Sequence, residues 1–76
     1  MKEILETMIK NLVDNPEAVT INEVEGEKNI IFEVKVAEGD MGKIIGRQGK
    51  IAQSIRTVIR AIANRKDKRV TVEFIG

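Results

Sequence analysis

Apolar residues recur along the chain with two different periods, and each change of period marks the boundary of a predicted element. Helical spacing predicts an amphipathic helix from Met1 to Val13, which ends at the sequence Asp14-Asn15-Pro16. A strand is predicted from Ala18 to Val24, and strict alternation from Ile30 to Ala37 predicts a second, half-buried strand. The short polar connection between the two strands predicts a hairpin.

The second half of the chain returns to the helical period and ends on the strand period. The pattern predicts a short helix from Met41 to Ile45 with Asp40 as its N-cap, a long helix from Lys50 to Arg65, a polar turn at residues 65–68, and a closing strand from Arg69 to Ile75. The apolar arc of the long helix is wide for one buried side, so part of it is expected to line a groove or a partner chain. Its members are Ile51, Ala52, Ile55, Val58, Ile59, Ile62 and Ala63.

A glycine-rich loop joins the two predicted helices. Gly46 and Gly49 bracket Arg47 and Gln48, and glycine allows a backbone with positive φ that approaches other groups closely. The next helix begins immediately after the loop, so its unpaired N–H groups and the positive end of its dipole point toward the same space. Arg47, Lys43 and Lys50 add full positive charges. The sequence therefore predicts a site for a phosphodiester backbone.

Residues 42–51, Gly-Lys-Ile-Ile-Gly-Arg-Gln-Gly-Lys-Ile, resemble the signature of the K-homology (KH) RNA-binding domain. In that domain a Gly-x-x-Gly loop clamps about four nucleotides of a single strand. A second Gly-x-x-Gly, at residues 39–42, lacks basic residues and is interpreted as a strand-to-helix turn. The predicted order of elements is similar to the type II KH arrangement. This resemblance covers essentially all of the chain and implies one KH domain over residues 1–76.

The resemblance implies an α+β fold with the order α-β-β-α-α-β, in which three helices pack on one face of a three-stranded mixed sheet. The hairpin supplies the antiparallel pair of strands. The two helices between the second and third strands form a crossover that is long enough to make those strands parallel neighbours.

Small stand-alone chains of this form resemble the bacterial KhpA-type RNA-binding proteins. The resemblance implies a cytoplasmic RNA chaperone or post-transcriptional regulator that binds single-stranded RNA. It also implies a homodimer, a heterodimer with a larger KH protein of the KhpB (Jag) type, or both. Neither a cofactor, a metal ion, a small-molecule substrate nor a membrane is implied.

The loop is expected to hold the RNA backbone, while bases lie across a shallow apolar groove. The groove is expected to be built from Ile44, Ile45, Ile51, Ile55 and the edge of a strand. Whether Arg60, one turn after Arg56 on the long helix, also contacts the RNA backbone is left open by the sequence. The residues implied in RNA binding are Lys43, Ile44, Ile45, Gly46, Arg47, Gln48, Gly49, Lys50, Ile51, Ile55 and Arg56.

Charge and composition narrow the functional classes. The formal net charge is only +1, but residues 1–38 carry nine acidic and four basic side chains, whereas residues 39–76 carry three acidic and nine basic ones. This separation can steer a polyanion onto one side of the molecule. The absence of Cys and His disfavours disulfides, most zinc sites and the commonest nucleophile and base pairs, so no enzyme is predicted. The two Phe residues are the only aromatics, which disfavours a base-stacking platform.

The sequence fits several other functions less well than RNA binding. A P-loop is disfavoured because Ile51 follows Gly49-Lys50 where Ser or Thr is needed, and no dinucleotide-binding glycine pattern follows a strand. A helix-turn-helix DNA reader stays open because two helices flank a Gly-containing turn, but that fold does not call for the second glycine or for the closing strand. Single-stranded DNA stays open as a ligand. The main alternative is a protein interaction module in which the long helix forms the interface.

Overall fold

The computed structural model describes residues 1–65 and 67–75, in which the helices and strands follow the predicted order. The elements are α1 (Lys2–Lys10), β1 (Thr20–Glu25), β2 (Asn29–Lys35), α2 (Met41–Ile45), α3 (Lys50–Asn64) and β3 (Arg69–Ile75). Single turns of 3-10 helix occur at Pro16–Ala18, Glu38–Asp40 and Arg47–Gly49. The bounds of α2 and β3 agree with the prediction, whereas α1 is shorter at both ends. The predicted turn at residues 65–68 includes Lys66, which lies outside the described residues.

The sheet is three-stranded and mixed, as predicted. Strand β2 is central, pairs antiparallel with β1 and pairs parallel with β3. Phe32 of β2 lies opposite Val72 of β3, and Val34 lies opposite Phe74. Because side chains alternate between the faces of a strand, this register gathers the apolar residues of both strands on one face. That face is the floor of the core.

All three helices contribute to the core that covers this face. Leu5 and Ile9 of α1 are one turn apart and fully buried, and Ile44 of α2 is also fully buried. Complete burial of each such side chain stabilises the fold by about 1.5–3 kcal/mol. The predicted α+β class, with three helices on one face of a mixed sheet, is therefore confirmed. The buried core residues are Leu5, Ile9, Ile30, Phe32, Val34, Ile44, Ile55, Ile59, Ala63, Val70 and Val72.

The apolar arc of α3 divides into a core side and an exposed flank. Ala52, Ile55, Ile59 and Ala63 are buried. Val58 is 43% exposed, and Ile51 and Ile62 are half-buried. The helix therefore has more apolar surface than the sheet alone covers. We name the three residues Val58, Ile51 and Ile62 the apolar flank of α3.

Asp40 occupies the N-cap position of α2, as predicted, but it does not act as a side-chain cap. Its side chain makes no capping hydrogen bond, because its backbone belongs to the preceding 3-10 turn with φ −97° and ψ −11°, whereas an N-cap residue usually has an extended backbone. Instead, the Asp40 carboxylate is buried and accepts hydrogen bonds from the backbone N–H groups of Asp14 (3.1 Å) and Asn15 (3.0 Å). Hydrogen bonds to charged groups contribute about 1.5–3 kcal/mol each. This carboxylate therefore ties the connection after α1 to the start of α2.

Candidate nucleic-acid interface

Gly46 ends α2 in a conformation that other residues rarely adopt. Its φ is 67° and its ψ is −168°, a region occupied almost only by glycine. The Gly46 N–H donates to the Gly42 carbonyl at 2.9 Å. A Cβ at this position would lie 2.7 Å from Cγ1 and Cδ1 of Ile51, closer than real carbon contacts allow. Glycine is therefore required at position 46 for two reasons: the backbone has a φ and ψ that other residues avoid, and a side chain would collide with Ile51.

The rest of the loop turns through the left-handed region. Gln48 has φ 56° and ψ 26°, and Gly49 has φ 73° and ψ 13°. A Cβ on Gly49 would meet nothing within 4 Å, so that glycine is favoured by its φ alone. A left-handed backbone costs a residue other than glycine about 1–2 kcal/mol. Gln48 therefore carries local strain within the loop, a feature that is common at binding sites.

The loop amides differ in their availability. The Gly46 N–H is bonded to Gly42, and the Lys50 N–H donates to the Arg47 carbonyl. No hydrogen bond within residues 1–65 and 67–75 uses the N–H of Arg47 or of Gln48. Successive N–H groups in a turn create a concavity that suits anions. The N–H groups of Gly46 and Lys50 are thus already bonded, so only part of the backbone donors of residues 46–50 are open to a ligand.

The basic side chains around the loop are not equivalent. Arg47 and Lys50 are exposed and form no ion pair in the part of the chain that the structure describes, and the first turn of α3 contains no acidic residue. Lys43, in contrast, pairs its Nζ with the carboxylate of Asp14. An exposed pair of this kind contributes only about 0–1 kcal/mol, so a phosphate can compete for Lys43. Arg47 and Lys50 therefore provide positive charge that no acidic side chain among the described residues neutralises.

Two of the residues predicted to line the apolar groove are buried in the core. Ile44 is 0% exposed and Ile55 is 2% exposed, so the core encloses both side chains and they have no surface to offer to a base. They support the loop from beneath instead. Ile45 is 43% exposed, and Ile51 is half-buried against the core and beside Gly46. Of the predicted groove residues, Ile45 presents the most apolar surface.

Arg56 lies at the free edge of β3. Its Nε–H donates to the Val72 carbonyl at 3.1 Å, and its guanidinium carbon lies 5.2 Å from the centre of the Phe74 ring. Arg56 thus lies at a strand edge, as predicted for the groove. Its Nε–H, however, already occupies one backbone acceptor of that edge, the Val72 carbonyl. The sequence did not indicate the roles of Val72 and Phe74, because periodicity does not fix the register between α3 and β3.

The described residues contain neither a membrane-spanning helix nor a cluster of metal ligands. Among residues 1–65 and 67–75, no helix is long and apolar enough to cross a membrane. The same residues contain no group of three or more acidic, His or Cys side chains placed to hold a metal ion.

Comparison with known proteins identifies relatives that cover almost the whole chain. The profile of a family described as "KhpA/KhpB, KH domain" matches residues 2–74. The chain is 59% identical to the RNA-binding protein KhpA of Clostridium acetobutylicum over 75 residues, which cover 99% of this chain and 100% of the relative. It is 56% identical to the KhpA of Caldanaerobacter subterraneus, with the same coverage. It is 47% identical to that of Chlamydia trachomatis, covering 99% of this chain and 96% of the relative.

Replacing Gly46 with Ala tests the loop geometry. The added Cβ would clash with Ile51 and force an unfavourable φ, so the free energy of unfolding should fall by about 1–3 kcal/mol in urea titration. The matched control is Gly42→Ala in α2, where a Cβ meets nothing within 4 Å. That change should leave stability unchanged or raise it by up to about 1 kcal/mol. Equal stability of the two variants would contradict the geometry described for Gly46.

Proposed function

The chain belongs to the KhpA/KhpB family of KH domains, and from this premise we propose that it binds single-stranded RNA by clamping the sugar-phosphate backbone in the loop of residues 46–49. The observation that carries the proposal is a pair of exposed cations, Arg47 and Lys50, which form no ion pair within residues 1–65 and 67–75 and lie beside a left-handed loop at the start of a 15-residue helix. The names of these relatives describe RNA binding and state no catalysed reaction.

The proposed clamp combines backbone donors, side-chain charge and the helix terminus. A phosphate seated on the loop accepts from the N–H groups of Arg47 and Gln48, and the guanidinium of Arg47 and the ammonium of Lys50 neutralise its charge. The positive end of the α3 dipole favours the same anion. Lys43 joins this cluster when the phosphate displaces Asp14. These contacts carry no sequence information and weaken with added salt.

We further propose a modest affinity for a single domain and a regulatory role in the cell. Apolar contact through Ile45, without aromatic stacking, gives a single domain an affinity of roughly micromolar Kd. Two linked sites bind a longer RNA more tightly than one. The proposed role is that of an RNA chaperone or post-transcriptional regulator in the cytoplasm.

The apolar flank of α3 is the proposed dimer interface. Val58 is 43% exposed, Ile62 is half-buried, and Ile51 keeps part of its surface exposed although it also packs against the core. A chain of 76 residues is near the size at which one core supports folding alone, so covering this flank adds useful burial. The proposed partner is a second copy of the chain, or a larger KH protein of the KhpB (Jag) type. The family description, which names KhpA and KhpB together, supports that pairing.

Charge reversal in the loop tests RNA binding. The double change Arg47→Asp and Gln48→Asp should weaken binding of a labelled single-stranded RNA by at least about tenfold, because like charges repel the phosphate. Fluorescence anisotropy at two salt concentrations measures this loss, and single-stranded DNA of the same sequence tests the other polymer. The matched control is Lys28→Asp with Asn29→Asp, which changes the net charge equally in the hairpin. Equal loss in both double variants would show that total charge, and not the loop, governs binding.

A polar substitution in the flank tests the dimer. Val58→Lys should convert a dimer into a monomer in size-exclusion chromatography with light scattering, since it places an ammonium in an apolar interface. Ile4→Lys is the control, because Ile4 of α1 is similarly exposed at 45%. A Val58→Lys variant that stays dimeric would refute this interface, and a monomeric wild type would refute the homodimer and leave the larger KH protein as the proposed partner. A monomeric variant that still binds RNA would separate the clamp from the interaction module.

A further inference from the structure

Strand β1 lies at the edge of the sheet and is paired on one side only. The strand order is β1-β2-β3, so no strand among residues 1–65 and 67–75 lies beyond β1. Five of its six residues are exposed, and Ile21 is half-buried. An edge strand with open backbone groups can accept a further strand from another chain. The edge of β1 is therefore available to a partner.

The register identifies the backbone groups of β1 that face outward. At the end of the hairpin, the Gly26 N–H donates to the Asn29 carbonyl at 2.7 Å. Hydrogen-bonded and non-hydrogen-bonded pairs alternate along an antiparallel ladder. Counting back from this bonded pair, the even-numbered residues of β1 bond to β2 and the odd-numbered ones do not. We name the outward N–H and C=O groups of Ile21 and Glu23 the β1 edge.

The parallel pairing on the other side of β2 agrees with this alternation. The Arg69 N–H donates to the Lys28 carbonyl at 2.9 Å, so the even-numbered residues of β2 bond to β3 and the odd-numbered ones bond to β1. At the edge of β3, the outward carbonyl of Val72 accepts the Nε–H of Arg56. No side chain of residues 1–65 and 67–75 forms such a bond with the β1 edge. Its N–H and C=O groups are thus open to another strand.

The surface around the β1 edge carries charge of one sign. Residues 17–27 contain four Glu and neither Lys nor Arg. Charged side chains of either sign protect an edge strand from pairing with copies of itself, so protection alone does not explain why all four charges are negative. An excess of negative charge around open backbone groups favours a positively charged strand as the partner.

Glu23 also helps to form a depression beside this edge. Its register partner on β2 faces the core, so the Glu23 side chain points to the helix side of the sheet. There it lines a depression of about 300 Å³ together with Glu3 and Lys2 of α1. Lys68 lines the same depression and is paired with the carboxylate of Glu25. Glu3 and Glu23 form no ion pair within the described part of the chain, so both can pair with a cation of a partner.

We propose that the β1 edge binds an extended, basic segment of a partner protein, which adds a fourth strand to the sheet. Backbone hydrogen bonds to the β1 edge supply affinity, and pairing of Lys or Arg with Glu23 and Glu3 supplies specificity. Because side chains alternate along a strand, the segment carries a basic residue at every second position. The residues between them lie beside Val24, which is 49% exposed on the outer face of the sheet, so β-branched side chains suit those positions.

Two other occupants fit the β1 edge less well. A second copy of β1 would bring Glu23 and its neighbouring glutamates against those of the other copy, and like charges on paired strands are destabilising. RNA would meet the same carboxylates and is repelled by them. None of the residues of the β1 edge belongs to the loop of residues 46–49 or to the apolar flank of α3. The functions proposed for those two surfaces therefore do not depend on this one.

A synthetic peptide tests the backbone pairing. The probe, acetyl-Thr-Lys-Val-Lys-Val-Lys-Thr-amide, is titrated into the full-length 15N-labelled protein, and we expect a Kd below about 1 mM with the largest amide shifts at Ile21 and Glu23. N-methylation of either the first two lysines or the two valines removes the peptide N–H groups that face β1. That set should weaken binding at least about tenfold, and the other set by less than about threefold. Absence of binding, equal affinities of the two methylated peptides, or unchanged Ile21 and Glu23 amides would overturn the proposal.

Charge reversal in β1 tests the electrostatic part. Glu23→Lys should weaken binding of the unmethylated peptide at least about fivefold, because repulsion replaces attraction beside the added strand. Glu73→Lys is the matched control, since it makes the same charge change at an exposed position of β3, and it should alter the affinity by less than about twofold. An equal effect of the two variants would overturn the proposal. If Glu23→Lys unfolds in circular dichroism, the methylated peptides decide with the unaltered protein.

Discussion

One backbone conformation, that of Gly46, allows α2 and α3 to pack on the same sheet with a connection of only residues 46–49 between them. A side chain at this position would press on Ile51, which itself packs against the core. The same turn that satisfies packing leads into the left-handed backbone of Gln48 and Gly49. The shape of the loop is therefore a consequence of how two helices share one core. The same shape leaves the side chains of Arg47 and Lys50 exposed.

The fold supports this turn from both sides. Beneath it, Ile44 and Ile55 are enclosed in the core, so the helix on each side of the loop is anchored to the sheet. At the start of α2, the buried Asp40 carboxylate accepts two backbone hydrogen bonds from the connection after α1. Much of the acidic half of the chain lies in the β1 and β2 hairpin, where Glu23 and Glu25 are exposed. A polyanion is thus repelled from the hairpin and attracted toward the loop.

The sequence predicted the elements and the sheet well because both depend on local patterns. Alternation in the last strand gave the bounds of β3, and the crossover through two helices gave its parallel pairing with β2. The site was predicted less completely, since it depends on tertiary contacts. A wide apolar arc does not reveal that Ile55 is buried while Val58 is exposed. Likewise, an Asp before a helix predicts a cap, whereas the structure uses Asp40 to bind Asp14 and Asn15. The contact of Arg56 with Val72 and Phe74 joins positions 16 and 18 residues apart, which no periodicity connects.

The central claim is that the loop of residues 46–49 binds the RNA backbone, and amide chemical shifts in solution test it most directly. Titration of 15N-labelled protein with an unlabelled single-stranded octamer reports on each backbone N–H separately. We expect the largest shifts at Arg47, Gln48 and Gly49, with smaller ones along the first turns of α3. Shifts concentrated on β1 and the outer face of the sheet, with the loop amides unchanged, would contradict the account.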